Sequence, residues 1–176
     1  WEKHRGLREL SGKTACIIGT GSVGSAIARR LRAFDVQTVG INRSGHPAAE
    51  FDQTQPTCRL DALLPLADLV ICAMPLTAET AGLFDSARLA KIKPSAVFVN
   101  VARGKVTDQQ ALVEALQSGQ LFGAVLDVFE EEPLPRSSPL WDMEQVILTP
   151  HNSFVGEHNG ERLFRLICKN LESFAK

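Results

Sequence analysis

Gly19-Thr20-Gly21-Ser22-Val23-Gly24 follows directly on the apolar run Thr14-Ala15-Cys16-Ile17-Ile18. Glycines at these spacings, between a buried strand and a helix, suit a pyrophosphate. Gly19 takes the tight turn out of the strand, Gly21 lets a phosphate approach the backbone where a Cβ would block it, and Gly24 lets the next helix pack close to the sheet. The phosphates would rest on the free N–H groups that open that helix, around Ser22 and Val23. A glycine turn alone is a weak signal, since a merely structural strand-to-helix turn uses the same residues. Here Ala26, Ile27, Leu31 and Phe34 recur at helical spacing among Arg29, Arg30 and Arg32, which supplies the amphipathic helix the motif requires. The ligand this arrangement predicts is a dinucleotide.

Roughly twenty residues past such a turn, sites for NAD carry an acid that bonds the ribose hydroxyls. This chain has Ile41-Asn42-Arg43-Ser44 there. An acid would repel a 2′-phosphate, whereas neutral Asn42 followed by a guanidinium and a hydroxyl can receive one. NADP(H) is therefore expected in preference to NAD(H). If Arg43 points to solvent or only stacks on adenine, NAD(H) is tolerated as well.

The elements that must position these residues read as short apolar strands alternating with helices. Strands are expected at Thr14–Ile18, Val36–Ile41, Leu69–Ala73, Ala96–Val101, Gly123–Val128 and Val146–Thr149, six in all. Helices are expected after the glycine turn, at Leu60–Ala67, Ser86–Ile92 and Asp108–Ser118, the last closed by Gly119, and at Glu157–Phe174 with Leu163, Leu166, Ile167 and Leu171 facing inward. Pro75 ends the third strand region, and Glu130–Pro139, with three Glu and three Pro, reads as an extended surface loop. The pattern predicts a doubly wound α/β domain, a parallel sheet covered on both faces, with ligands beyond the carboxyl ends of its strands.

Composition narrows the function classes. A chain of 176 residues, 44% of them hydrophobic, can bury roughly 70% of its unfolded surface in one domain. The 19 Lys and Arg nearly balance the 20 Asp and Glu and are scattered, so neither nucleic acid nor an anionic membrane is an expected partner. No apolar run approaches a membrane span, and the opening WEKHRGLREL has no signal-peptide core, which together predict a soluble cytoplasmic protein. Cys16, Cys58, Cys72 and Cys168 are far apart and read as small core residues of a reducing compartment. The four histidines lack metal-ligand spacing, so no metal is expected.

Taken in order, the strand ends carry GTGSVG, MPLTAETAGLF, NVARG, LDVFEEEP and TPHNS. This set resembles the D-isomer-specific 2-hydroxyacid dehydrogenases from about Leu10 to Ala175. The resemblance implies a catalytic trio of Arg103, Glu132 and His151. The chemistry asks for these types independently. Reduction of a 2-oxo acid needs a proton donor titrating near neutrality beside the carbonyl, which suits His151. A carboxylate on its other ring nitrogen, Glu132, would favour the imidazolium and fix its orientation. A planar, permanent cation, Arg103, would hold the substrate carboxylate with two donors and polarise the carbonyl. An Arg-Gly can also simply end a strand, a Pro-His can be only a turn, and Glu130, Glu131 and Glu132 could all be solvated. Glu132 is preferred because the family motif places its carboxylate five residues after the acid of the DVF segment, directly before a proline.

The resemblance further implies that Asp127 bonds the nicotinamide carboxamide, or else caps a turn. It also implies that Met74, Pro75 and Thr80 run along the cofactor, that Val101 and Ala102 lie against the nicotinamide, and that Asn152 and Ser153 close over the ring beside His151. Arg103 and His151 would border the cofactor too. Relatives begin with a substrate domain of roughly a hundred residues, so residues 1–176 read as the dinucleotide-binding domain with the substrate domain absent. Alone, it should bind cofactor yet reduce little, because water is not excluded. A homodimer is expected from the family. The competing class is a non-catalytic NAD(P)(H)-responsive module like the corepressors that resemble this family, and retention of the trio favours the enzyme. A short-chain dehydrogenase is excluded, since those enzymes use a tyrosine and this chain has none.

Overall fold

The apolar runs read above pair as strands in the computed structural model of the chain, which describes residues 8–174. Residues 1–7, which hold most of the N-terminal stretch read for a signal-peptide core, and residues 175–176 lie outside them. The elements in chain order are β1 (Thr14–Ile18), α1 (Ser22–Arg32), β2 (Gln37–Asn42), β3 (Gln53–Pro56), α2 (Leu60–Leu63), β4 (Leu69–Cys72), α3 (Ser86–Leu89), β5 (Val97–Asn100), α4 (Gln109–Gln117), β6 (Gly123–Leu126), β7 (Val146–Leu148) and α5 (Asn159–Phe174). All strands are parallel, in the spatial order β3-β2-β1-β4-β5-β6-β7. The order reverses between β1 and β4, where doubly wound sheets take their ligands.

The expected strands are present, and a seventh, β3, extends the sheet beyond β2. Its sequence, Gln-Thr-Gln-Pro, has no apolar alternation to reveal it. Its edge position accepts Pro56, whose missing N–H would cost a ladder bond in the interior. The helices expected at Leu60–Ala67 and Ser86–Ile92 shrink to single α-turns, α2 and α3, extended by 3-10 turns or loop. Caps explain where two helices start: Asp85 accepts from the N–H of Arg88, and Asp108 from that of Ala111. Past α4, Gly119 takes φ +75°, the left-handed stop anticipated for it.

Two layers of core flank the sheet. On one face Phe84, Phe98, Leu112, Leu116 and Leu140 pack with Cys16, Ile18, Val70 and Cys72. Phe84 and Phe98 meet edge-on, ring centroids 5.1 Å apart. On the other face α1 packs Ala28, Ile27 and Leu31 on Ala15, Ile17 and Ile71. Phe34, expected on that helix face, is exposed, because α1 has already ended at Arg32.

Coverage of this second face thins toward β7. Ile17, Ile71, Val99, Val125 and Ile147 lie in one cross-strand row, and exposure rises from 0% at Ile17 to 61% at Ile147. The inward face expected of α5 is likewise not found: it has no buried residue, and Leu163, Leu166, Ile167 and Leu171 are exposed. Of the cysteines, Cys16 and Cys72 are core residues whose thiols burial pushes up, that of Cys16 to about 12. Cys58 is exposed and Cys168 half-buried, so the core reading fails for these two.

Because Phe98 is fully buried at the centre of the larger layer, Phe98→Ala should lower the unfolding free energy by about 3–5 kcal/mol. Urea denaturation checks this, and a loss below about 1 kcal/mol would show that the layer collapses around the cavity.

Candidate active site

The loops that follow the strands come together at one edge of the sheet and enclose a continuous groove. Its first part, about 450 Å³, is lined by Gly19, Thr20, Gly21, Asn42, Arg43, Thr57, Met74, Pro75, Glu79 and Thr80. A second, about 350 Å³, shares Met74 and Pro75 and adds Val23, Leu76, Val101, Ala102 and Arg103. A third, about 310 Å³, shares Leu76 and Arg103 and adds Lys105, Phe129, Glu130, Glu132 and His151. The sheet therefore lines up the glycine turn, the Arg43 corner and the proposed catalytic side chains along one path. A larger, mostly apolar cavity of about 610 Å³ lies on the other side of His151 and Glu132, against Leu134, Trp141 and Leu148.

The glycine turn fits a pyrophosphate. Gly19 has φ +107°, and a Cβ there would stand 2.5 Å from the Ala73 carbonyl oxygen. A Cβ on Gly24 would run into the carbonyl of Gly19, and one on Gly21 would meet nothing within 4 Å. Gly21 thus faces open groove while its neighbours are fixed by close backbone contact. Gly21 caps α1 with no side-chain hydrogen bond, and the first turn, with Ser22 and exposed Val23, carries no acid. The leading N–H groups are left for an anion.

At the β2 end, Arg43 lines the groove and is exposed, and Ser44 beside it is exposed but does not line the groove. Asn42 is occupied with its own loop: its amide donates to Thr20 Oγ1 at 3.1 Å and to the His46 carbonyl at 2.9 Å, and its Oδ1 accepts from Gly45 at 2.6 Å. Thr80 works similarly, donating to the Pro75 carbonyl at 2.8 Å and accepting from Thr77 N–H at 2.7 Å. Both shape the walls of the groove through these bonds.

At the far end, His151 Nδ1 and Glu132 Oε2 are 2.7 Å apart. An ionised carboxylate only accepts, so Nδ1 carries the proton and Nε2 is left to face the groove. Burial pushes the Glu132 carboxyl up, but the His151 hydrogen bond, the Phe129 N–H and the charges of His151 and Arg103 outweigh it and hold the group below its ordinary value. The Phe129 N–H reaches Oε1 at 3.0 Å. Of the three neighbouring acids, Glu132 is the one on the imidazole. Glu130 instead accepts from the Gln109 N–H at the start of α4, 2.9 Å away, and Glu131 is exposed.

Arg103 is exposed, its Nη1 2.7 Å from the Ala102 carbonyl. The turn that carries it is organised by Asn100, 2% exposed, whose Oδ1 accepts from Ala102 N–H and whose amide donates to the Arg103 carbonyl. Asp127, buried at the end of β6, takes hydrogen bonds from Thr149, Asn152 and Ser153. Burial pushes its carboxyl up, and the bonds from Ser153, Thr149 and Asn152 more than offset this, so it is held low. His151 itself has φ +50°, a left-handed backbone that costs a residue with a Cβ about 1–2 kcal/mol. Asn100 and Thr149 were absent from the residues expected at the site. Their signal is only position, one at the end of an apolar strand and one directly before a Pro-His pair.

The class these features define is a doubly wound dinucleotide-binding domain with a His–Glu pair at the end of its groove. Residues 1–153 match the model of the D-isomer specific 2-hydroxyacid dehydrogenase, NAD binding domain, and the chain belongs to that family. It is 40% identical over 168 residues to glyoxylate reductase of Pyrococcus furiosus, covering 96% of this chain and 50% of that one. A family crystal structure from Aeromonas salmonicida superposes with TM-score 0.90 at 39% identity, covering 99% of this chain and 56% of the other. The NADPH-dependent glyoxylate/hydroxypyruvate reductase of Sinorhizobium meliloti, solved with NADP and sulfate, gives 0.87 at 33% identity, covering 99% and 56%. The chain spans about half the length of the curated relatives it matches. Among the described residues no helix is long and apolar enough to cross a membrane, and no cluster of His, Cys, Asp and Glu could hold a metal ion.

Because the folded carboxyl of Glu132 titrates below its ordinary value of 4.5, its contribution to stability is complete above that value and is lost as pH falls through the folded one. Glu132→Gln should therefore flatten the fall of Tm on acidification below about pH 5. Parallel Tm profiles for the two proteins would mean that the pair contributes nothing to folding.

Proposed function

We propose that this chain is the dinucleotide-binding domain of an enzyme that reduces a small 2-oxo acid to its 2-hydroxy acid, with NADPH preferred over NADH. The observation that carries the reading is the 2.7 Å His151–Glu132 pair on the same short cavity as Arg103, at one end of a groove whose other end is the glycine turn. A domain that only sensed a dinucleotide would need none of the three. Names among the relatives, glyoxylate reductase and glyoxylate/hydroxypyruvate reductase, support a short, polar 2-oxo acid. The proposal leaves the substrate-binding half of the enzyme to chain outside residues 1–176. Pairing of two copies rests on the family resemblance, and a cytoplasmic setting on the sequence's lack of a membrane-length apolar run and of a signal-peptide core.

In this reading His151 donates the Nε2 proton to the substrate's carbonyl oxygen, and Glu132 stabilises the imidazolium before transfer and keeps the ring's other nitrogen protonated after it. Arg103 leaves the Ala102 carbonyl and grips the substrate carboxylate, orienting the carbonyl between itself and His151. Bound at Gly19–Gly24, the dinucleotide supplies the hydride. Val101 and Ala102 provide a small apolar floor where the nicotinamide would lie.

NADP preference rests on Arg43, exposed on the groove where the ribose would sit, with the exposed Ser44 next to it in sequence. With Asn42 held by Thr20, His46 and Gly45, the guanidinium is the residue that reads the 2′-phosphate. Calorimetry at one ionic strength should give NADPH binding about tenfold tighter than NADH, or 1.4 kcal/mol, and Arg43→Asp should reverse the order. An unchanged ratio in that variant would remove Arg43 from cofactor selection.

In the enzyme that contains this chain, His151→Ala should lower kcat by about 10²–10⁴ while leaving NADPH affinity within error. Steady-state kinetics beside a binding titration make the test, and near-native turnover would exclude His151 as the proton donor.

A further inference from the structure

The part of the groove that Arg43 lines holds one side chain of each charge. Among the residues around this cavity of about 450 Å³, only Arg43, just past β2, and Glu79, in the loop after β4, are charged. Both are exposed, and among the described residues neither has an ion-pair partner. Glu79 is nonetheless fixed. The Thr77 hydroxyl donates to its Oε2 at 2.6 Å. The turn beneath is closed by Thr77 N–H on Thr80 Oγ1 at 2.7 Å, and by Thr80 N–H and Ala81 N–H on the Thr77 carbonyl at 3.2 and 2.9 Å. The Thr77 hydrogen bond, the residue's own N–H and the charge of Arg43 outweigh desolvation and hold its carboxyl below the usual glutamate range. A full negative charge therefore stands in this cavity at neutral pH. The acid that is missing from the end of β2 is present after all, supplied by another strand's loop.

We propose that Glu79 is a specificity-determining residue that opposes Arg43: its carboxylate repels the 2′-phosphate of NADP(H), and cofactor preference is the difference between that repulsion and the attraction of the guanidinium. The proposal rests on the reading of this cavity as the site of the adenosine ribose. A phosphate monoester carries about −1.5 to −2 charges at neutral pH, whereas the 2′-hydroxyl of NAD(H) carries none. A fixed charge beside that position discriminates between the two cofactors and is indifferent to everything they share. With Oε2 committed to Thr77, the carboxylate is not free to swing away from an incoming phosphate. Both side chains face water, so the effect is modest and sensitive to salt.

Titration calorimetry of Glu79→Gln, in the enzyme that contains this chain, tests it with NADPH, NADH, 2′,5′-ADP and 5′-AMP as ligands. The amide keeps an oxygen for the Thr77 hydroxyl and removes only the charge. NADPH and 2′,5′-ADP should bind about two- to fivefold tighter than to the wild type at low ionic strength, with NADH and 5′-AMP unchanged. The gain should shrink as salt is raised to about 0.5 M. In an Arg43→Gln background the same substitution should give a gain of the same size, because the repulsion is direct. Loss of the gain in that background would mean that Glu79 acts only by occupying the guanidinium, and it overturns the proposal. Weaker NADH binding in Glu79→Gln would make the carboxylate a ligand of the ribose hydroxyls and overturns it too. So do affinities for the two cofactors that change by one common factor, or not at all. A wild-type protein that binds neither dinucleotide fails the reading of the groove itself, and this proposal with it.

Discussion

Parallel pairing sends every strand of this sheet out at one edge, and the rest of the molecule follows from that constraint. The registers step from Ile41 through Ile18, Cys72 and Asn100 to Leu126 and Leu148 with no slip. The next residues of each strand therefore arrive side by side. A glycine turn, an arginine corner and a His–Glu pair spread over more than a hundred residues of sequence become walls of one groove. Buried strand ends bring a difficulty with them, because a loop leaving a core exposes backbone N–H groups where water cannot reach.

At four strand ends the sequence answers that difficulty with a short polar side chain. Asn42 holds its loop to Thr20 and His46, Thr80 closes the turn after β4, Asn100 holds the Arg103 turn and Asp127 the His151 turn. Among the described residues no buried side-chain nitrogen or oxygen lacks a partner. These side chains share a division of labour with their neighbours. Arg43, one position after Asn42, and Arg103, three after Asn100, line the groove, as does His151 with Glu132, while the organiser is spent on the backbone. Asp127 and Asn100 are themselves linked, since Asp127 N–H donates to the Asn100 carbonyl at 3.0 Å. The Arg103 and His151 turns are thus anchored to one shared stretch of backbone.

Much of this was legible in the sequence, and what was not has a physical reason. Strands with apolar runs and helices with caps announce themselves, because burial and capping act within a few residues of chain. β3 does not, since an edge strand of Gln, Thr and Pro buries too little to leave a pattern. The α5 stripe of Leu163, Leu166, Ile167 and Leu171 is a true amphipathic pattern, yet periodicity states only that a face can be buried, not what buries it. The same limit applies to Ile147, apolar and outward on β7.

At the site, residue types and spacing picked out His151, Glu132, Arg103 and the glycines, because their chemistry depends on identity. The organisers were harder, because their work depends on pairing. Asn42 was read as a neutral neighbour for phosphate, and its geometry makes it the brace of its own loop. Thr149 gave no signal at all: a threonine ending a strand is ordinary until a buried carboxylate 22 residues earlier is found to accept its hydroxyl. Charge states follow the same logic. Desolvation pushes both Glu132 and Asp127 toward protonation, and both are returned below their ordinary value, Asp127 by donors from the turn after β7 and Glu132 by His151 of that turn together with Phe129 of its own loop. A carboxylate's role in this fold is decided by which exit loop lies beside it, and strand order, not local sequence, sets that.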